Sequence, residues 1–293
     1  MKHTRGEKIF QVVNIFIMLF VCVVTLYPYL NQVAVSFNEG MDALRGGITI
    51  FPRKFTLANY EAVFKNRSVL NGAYITVSVT FIHTILAMAV SFMAAYGITR
   101  SKLPYKRGIT LFFMIPSYIG AGQIPTYILY RYLGLINSYM VYILPGLFVF
   151  YNMVVLRSFL QELPASIEES AKLDGANDFQ IMYKIALPLS KPVMATIALW
   201  LSVGTWNSWT TTLLYITDRS LYSLSYIMMQ LIKESSLARQ MAMESGADEQ
   251  TEVPTPETVK AATLVVTTVP IIMVYPFLQK YFIKGVTLGA VKG

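Results

Sequence analysis

Two groups of residues have the types and spacing to do chemistry. The first is a cluster of carboxylates in a polar stretch at residues 163–192, LPASIEESAKLDGANDFQIMYKIALPLSKP. Together with Glu162 it holds five of the chain's sixteen acidic residues. Glu168, Glu169 and Asp174 there offer negative charge to a basic partner. The second group is a set of amides and aromatics inside apolar runs: Asn152, Trp206-Asn207-Ser208-Trp209, and Gln123 within Gly120-Ala121-Gly122-Gln123-Ile124-Pro125. Buried amides need hydrogen-bond partners, and aromatic faces beside amides and hydroxyls suit the C–H faces and hydroxyls of a sugar. The competing reading is an interhelical hydrogen bond with tryptophans at the membrane interface.

Other chemistries lack their residues. Cys22 is the single cysteine, so no intrachain disulfide or dithiol motif exists. The two histidines, His3 and His83, cannot build a typical zinc site without a carboxylate cluster, and His83 reads as an interhelical hydrogen-bonding residue. No G-x-x-x-x-G-K-[ST] occurs, so the chain does not bind ATP through a P-loop, and it carries no cofactor of its own.

The elements that hold these groups are set by the solvent. The 293 residues are 55% hydrophobic and 14% charged, with a mean hydropathy of +0.50; soluble domains carry about 25% charged residues. Six runs are long and apolar enough to cross a bilayer as helices. They predict an all-α polytopic membrane protein in one domain, with spans at about 9–36, 69–98, 109–130, 140–156, 193–216 and 261–279. Lys2, Arg5 and Lys8 precede a run too long for a signal-peptide core, so the first span reads as retained. Pro and Gly at 115–125 predict a break in span three that lines a cavity or is buried. Residues 233–257, polar and acidic, predict an external loop.

Orientation follows from the basic residues. With the N-terminus inside, fourteen of the twenty-four Lys and Arg fall on the cytoplasmic side, in short loops such as 100–107, and the net +8 lies there. Both termini and the stretch 163–192 are then cytoplasmic. The charges flank spans and form no continuous basic face, which excludes nucleic acid as a partner.

Within 163–192, Ser166 and Glu169 have capping-box spacing and predict a helix from Ile167. Gly175 sits where a helix ends in a left-handed residue. Asn177 and Gln180 repeat the capping spacing, and a second helix runs to about Leu187 before Pro188. Ala171, Ala176, Phe179 and Ile185 supply the apolar contacts between the two helices.

The stretch Glu169-Ser170-Ala171, three residues, Gly175, nine residues, Ile185-Ala186-Leu187-Pro188 resembles the EAA loop of importer-type ABC transporter permeases, with Ser170 where that family usually has Ala. Asp174-Gly175-Ala176, residues 187–192 (LPLSKP) and the tail YFIKGVTLGAVKG are similar to the carbohydrate-importing branch. Residues 120–137 and 206–222 look like the second permease of oligo- and polysaccharide importers of the aldouronate or alginate type.

The resemblance implies a subunit of an importer in the bacterial cytoplasmic membrane, itself no enzyme. It implies four kinds of partner: a homologous second permease, an ATPase dimer that holds ATP and magnesium, an extracytoplasmic solute-binding protein, and a carbohydrate cargo. Glu168, Glu169, Ala171, Asp174, Gly175, Ala176, Leu187 and Pro188 would form the coupling helix between spans four and five. Asn152, Trp206, Asn207, Trp209 and Gln123 would line the substrate pathway, and 233–257 would reach the solute-binding protein. A permease for a non-sugar solute is the alternative; a polytopic receptor or enzyme would leave the spaced Glu, Gly and Leu-Pro pattern without a use.

Overall fold

The computed structural model describes residues 4–100, 103–245 and 254–290, and among them the chain is helical apart from a single antiparallel bridge between Asn38 and Phe55. Lys2 and Lys102, counted above as inside charges, the tip of the 233–257 segment at 246–253, and residues 291–293 of the tail lie outside the described residues. Where composition predicts one domain over 1–293, the helices group into two compact units, 1–70 with 227–269 and 71–226 with 270–293.

Among the described residues three helical segments are long and apolar enough to cross a membrane: Gly6–Ser36 of α1 (Arg5–Ser36), Arg67–Thr99 of α4 (Arg67–Arg100) and Pro256–Met273 of α15 (Pro256–Ala290). A fourth candidate is a pair bent by 76°, Asp178–Leu189 with Lys191–Trp206. The apolar runs at 109–130, 140–156 and 193–216 are all broken. The first gives α5 (Lys106–Tyr118) and α6 (Gln123–Tyr132), the second α7 (Met140–Ile143) and α8 (Phe150–Glu162), the third α12 (Lys191–Trp206) and α13 (Thr210–Tyr215). Pro116 sits inside α5, and that helix stops three residues later, at Ile119–Gly122, where Gly122 takes φ +82°. Gly146, at φ +80°, turns the chain between α7 and α8. Both conformations are open to glycine because it lacks a Cβ.

One expectation fails plainly. The segment from Lys233 is not a loop at its start, because α14 (Leu224–Ser245) runs through it. Its residues up to Ser245 include no Gly or Pro, and Glu, Leu, Ala, Arg, Gln and Met are helix formers whatever their polarity.

In the first unit α1 presents apolar side chains on every side, with none of its spanning window buried. A helix that is apolar all round requires lipid or another helix about it. Only its C-terminal end packs, Ala34 and Val35 joining Ala43, Ile48 and Ala261. The link from α1 to α3 (Ala58–Lys65), through α2 (Gly40–Leu44), is pinned by Asn38, which is fully buried. Its Oδ1 accepts from the Arg53 and Lys54 amides at 2.8 and 2.9 Å, and its Nδ2 donates to Asp42 Oδ2 at 2.8 Å. Arg53 Nε donates to the same carboxylate oxygen at 3.0 Å. The Asn38 hydrogen bond, and behind it Arg53, holds the Asp42 carboxyl below its ordinary pKa against the opposing effect of burial. The folded state therefore gains stability from this group at neutral pH and loses it as pH falls through that depressed value.

The second unit has two cores. One joins Phe92, Ala95 and Tyr96 of α4 with Met153, Leu156 and Leu160 of α8 and Met194 and Ile197 of α12. The other joins Ile75 and Val79 of α4 with Val141, Tyr142 and Ile143 of α7 and Tyr215 of α13.

Replacing Asn38 strands two backbone N–H groups at once and takes one of two side-chain donors from the Asp42 carboxylate, which keeps Arg53. Asn38→Ala is expected to destabilise the 37–67 segment by about 2–4 kcal/mol, seen as accelerated proteolysis between residues 38 and 56, whereas Lys65→Ala, which breaks an exposed i,i+4 pair, leaves that rate unchanged.

Candidate functional site: a helix-turn-helix

Residues 165–189 fold as α9 (Ala165–Leu173), α10 (Asp178–Ile181), a π-helical turn (Met182–Ala186) and α11 (Leu187–Leu189). The Gly turn is a Schellman motif. Ala176 N donates to Ala171 O at 2.9 Å and Gly175 N to Lys172 O at 3.1 Å, so two of the carbonyls left open by the end of α9 are satisfied. Gly175 has φ +81°, as its position predicts, and a Cβ added there would meet nothing within 4 Å. The obstacle to a side chain is the backbone conformation alone. Asn177 and Gln180 close the expected capping box at 2.8 and 2.9 Å. The box expected from Ser166 and Glu169 does not form, because α9 starts two residues earlier, with Pro164 as its N-cap and Ala165 as its first residue. Pro at this position presets φ for helix entry, and Ser166 is already inside the helix.

The second helix extends past Leu187 to Leu189 and carries Pro188 in its last turn. Pro188 offers no N–H to the Lys184 carbonyl, and the turn just ahead of it is widened to π spacing. After Ser190 the chain bends by 76° into α12.

This element has two faces. Ala171, Ile181, Met182 and Ala186 are buried in the core shared with α4, α8 and α12, and Ala176, Ile185 and Leu187 pack against it. Leu173, Phe179 and Tyr183 stand out into solvent, 89%, 77% and 69% exposed. Phe179, expected between the two helices, is thus corrected to the outer face. The inward stripe is set by Ile181, Met182, Ile185 and Ala186, which leaves positions 179 and 183, four apart, on the opposite side. Glu169, Asp174 and Pro188 are exposed and Glu168 is half-buried. Lys172 and Asp178 meet across the turn at 3.6 Å, with 57% and 80% of their side chains exposed, so water screens the pair. The result is three large side chains, Leu173, Phe179 and Tyr183, among charged residues on the outside of a helix-turn-helix whose inside is packed into the core shared with α4, α8 and α12.

The five residues read as pathway-lining are not brought together. Asn152 is 3% exposed, and its Oδ1 accepts from Trp200 Nε1 at 3.0 Å, tying α8 to α12. Trp206 is buried beside an apolar cavity of about 410 Å³ that Thr80, Thr84 and Met88 also line. Asn207 is exposed and its Nδ2 donates to Val203 O at 2.9 Å, closing the end of its own helix. Trp209 is half-buried at the head of α13, and Gln123 is exposed as the first residue of α6. Sequence reasoning missed Trp200, although it lies on an apolar helix where an indole N–H needs a partner. It also missed the hydroxyl chain in which Tyr142 bonds Thr212 at 2.7 Å and Thr212 bonds Ser223 at 2.8 Å. Tyr142 lies 70 residues from Thr212, so spacing along the chain does not reveal the pair. Among the described residues no group of His, Cys, Asp and Glu could hold a metal ion.

Comparison with known proteins gives three likenesses. The family model described as "Binding-protein-dependent transport system inner membrane component" matches residues 87–288. The chain is 34% identical to Protein LplC of Bacillus subtilis over 100% of its own length and 98% of that protein. It is also 34% identical to the polygalacturonan/rhamnogalacturonan transport system permease protein YtcP of the same organism, over 98% and 99%. In fold it is similar to a chain of a bacterial ABC transporter involved in the import of the acidic polysaccharide alginate, with a TM-score of 0.85 at 24% identity, covering 96% and 99% of the two chains.

The Asn152–Trp200 bond separates a packing role from a ligand role. Trp200→Phe leaves the Asn152 oxygen buried without a donor and is expected to cost about 1–3 kcal/mol, read as a lower unfolding temperature in detergent. Asn152→Leu combined with Trp200→Phe is expected to recover most of it, since both polar partners are then gone.

Proposed function

We propose the permease subunit of a sugar importer for this chain, which belongs to the family of binding-protein-dependent transport system inner membrane components. Members of that family are transporter subunits and not enzymes. The cargo we assign is a sugar or oligosaccharide, handed over outside by a solute-binding protein and released into the cytoplasm. The chain sits in a bacterial cytoplasmic membrane, crosses it six times with both termini inside, and pairs with a homologous permease. Spans three, four and five are the broken ones. ATP and magnesium belong to a separate ATPase dimer that docks on residues 165–189.

One observation carries the docking assignment. Leu173, Phe179 and Tyr183 are exposed together on an element whose opposite face is buried in the core. Exposed aromatic and aliphatic side chains at a helix turn are the groups that enter a partner's cleft and dominate its affinity. Glu169 and Asp174 supply charge for a basic rim, Ala171 and Ala176 allow close packing, and Gly175 makes the turn. Leu187 and Pro188 close the element ahead of the bend. The chain supports the carbohydrate cargo through its full-length likeness to YtcP and through the further 25% identity to the trehalose/maltose permease MalG of Thermococcus litoralis. Rocking of rigid helical bodies about a membrane-embedded site is the transport mode that fits broken spans.

Purified in mild detergent, the chain is expected to bring down an ATPase and a second permease. Gly175→Val forces a β-branched residue into a left-handed conformation at about 1–2 kcal/mol. It should leave membrane insertion intact while lowering sugar-stimulated ATP hydrolysis in proteoliposomes about tenfold or more. Normal stimulated hydrolysis by that variant would overturn the coupling assignment. Uptake of a non-sugar solute with no response to saccharides would overturn the cargo.

A further inference from the structure

His83 lies at the middle of α4 and is 7% exposed. Its Nδ1 is 3.0 Å from the Ile143 carbonyl. A carbonyl can only accept, so Nδ1 carries the hydrogen, and in that tautomer Nε2 is the acceptor. The Ile143 carbonyl is available because α7 ends there. Leu147 N, which a continuing helix would aim at it, turns to Leu144 O instead. The other edge of the imidazole passes over Gly146, where a side chain would stand 3.6 Å from Cε1 and 3.9 Å from Nε2. Among the described residues Nε2 has no hydrogen-bond partner.

His83 also lines a partly open cavity of about 200 Å³. Tyr142, Thr205, Ser208, Thr211 and Ser223 supply hydroxyls to the same wall. Part of their capacity is used within the protein: Tyr142 donates to Leu221 O at 2.8 Å, and Ser208 bonds Thr211 at 3.2 Å. Each hydroxyl still has a lone pair to offer. No Asp, Glu, Lys or Arg lines the space. The volume exceeds that of a single water many times and is of the size that takes one sugar ring. The two helix breaks, at Pro145-Gly146 and at Asn207–Trp209, flank it, and broken backbone at membrane depth is tolerated where it lines such a cavity.

We propose that this cavity is a saccharide subsite on the present chain, in which His83 Nε2 accepts a hydroxyl hydrogen from one uncharged sugar residue and the surrounding Ser, Thr and Tyr hydroxyls complete the contacts. The wall offers no cation to a carboxylate, so the ring it takes is neutral rather than a uronate. The inference rests on the carbohydrate reading above and sharpens it to a place and a chemical class.

The test uses the complete importer with Cys22→Ser and Thr205→Cys, so that the one thiol on this chain reports the cavity. D-galactose and D-galacturonate, which differ only at C6, are the probes, and the rate of labelling by a small methanethiosulfonate reagent is the readout. Galactose is expected to slow labelling about threefold and galacturonate to leave it unchanged. His83→Asn keeps a donor in the place of Nδ1 and deletes Nε2, and should abolish the protection. His83→Gln keeps a polar group in the place of Nε2 and should retain part of it. Equal labelling with and without galactose, equal protection by galacturonate, protection that survives His83→Asn, or a thiol at 205 that the reagent never reaches each overturns the subsite. Failure of the unaltered importer to take up any saccharide overturns the carbohydrate reading instead, a result that proteoliposome uptake separates from the labelling data.

Discussion

A backbone carbonyl in apolar surroundings has no partner but the protein itself, and the broken helices of this chain depend on that rule being met. Each unsatisfied group costs several kcal/mol in hydrocarbon, so carbonyls and amides opened by a break call for side-chain partners. The breaks meet it in kind. His83 donates to Ile143 O where α7 ends, Asn207 to Val203 O where α12 ends, and Ser225 Oγ to Trp206 O beside it. Asn137, left-handed at φ +56°, accepts from the Thr217 and Asp218 amides just beyond α13. Asn71 donates to Ser220 O in the same region. The polar residues named here are spent on this work, whereas Thr80, Thr84 and Ser91 of α4 keep buried hydroxyl oxygens that take no part in it.

That accounting decides how the amides should be read. Asn152 and Asn207 carry the composition of a sugar site, yet both spend hydrogen bonds on holding helices. His83 is a buried group of the second unit with a nitrogen left over, and its sequence context, a lone histidine in a 34-residue apolar helix, reads only as packing. Its surplus is visible only when Ile143 O is found opposite Nδ1. That contact joins residues 60 apart, and sequence spacing along either helix carries no trace of it.

Local chemistry, by contrast, was readable. Gly175, the Asn177–Gln180 box and the Pro and Gly breaks follow from rules that act over about four residues, and all stand where spacing puts them. The failures come from competition within the same range. Pro164 takes the N-cap that Ser166 would have had. Phe179 loses the inner face to Ile181 and Met182, because the stripe that fits the core of α4, α8 and α12 is chosen by packing and not by hydrophobicity alone. The segment from Lys233 was read as a loop from its charge, whereas helix formation asks only for residues without a backbone penalty, and the first such penalty after Lys233 is Gly246.

The same packing fixes how a force on the helix-turn-helix would travel. Ser190 stands at the 76° bend, fully buried, with its N–H shared between Ala186 O at 3.0 Å and Leu187 O at 3.1 Å. On either side, Ile181, Met182 and Ala186 share one close-packed core with Met194 and Ile197. Close-packed interiors shift as bodies and do not bend smoothly. Under the proposed function, a load on Leu173, Phe179 and Tyr183 therefore cannot be absorbed at the bend, sharp as it looks. It moves α10, α11 and α12 together and reaches the next place where the helical ladder is interrupted, Asn207–Trp209. There a few side-chain hydrogen bonds replace a continuous helix, and the wall of the His83 cavity begins.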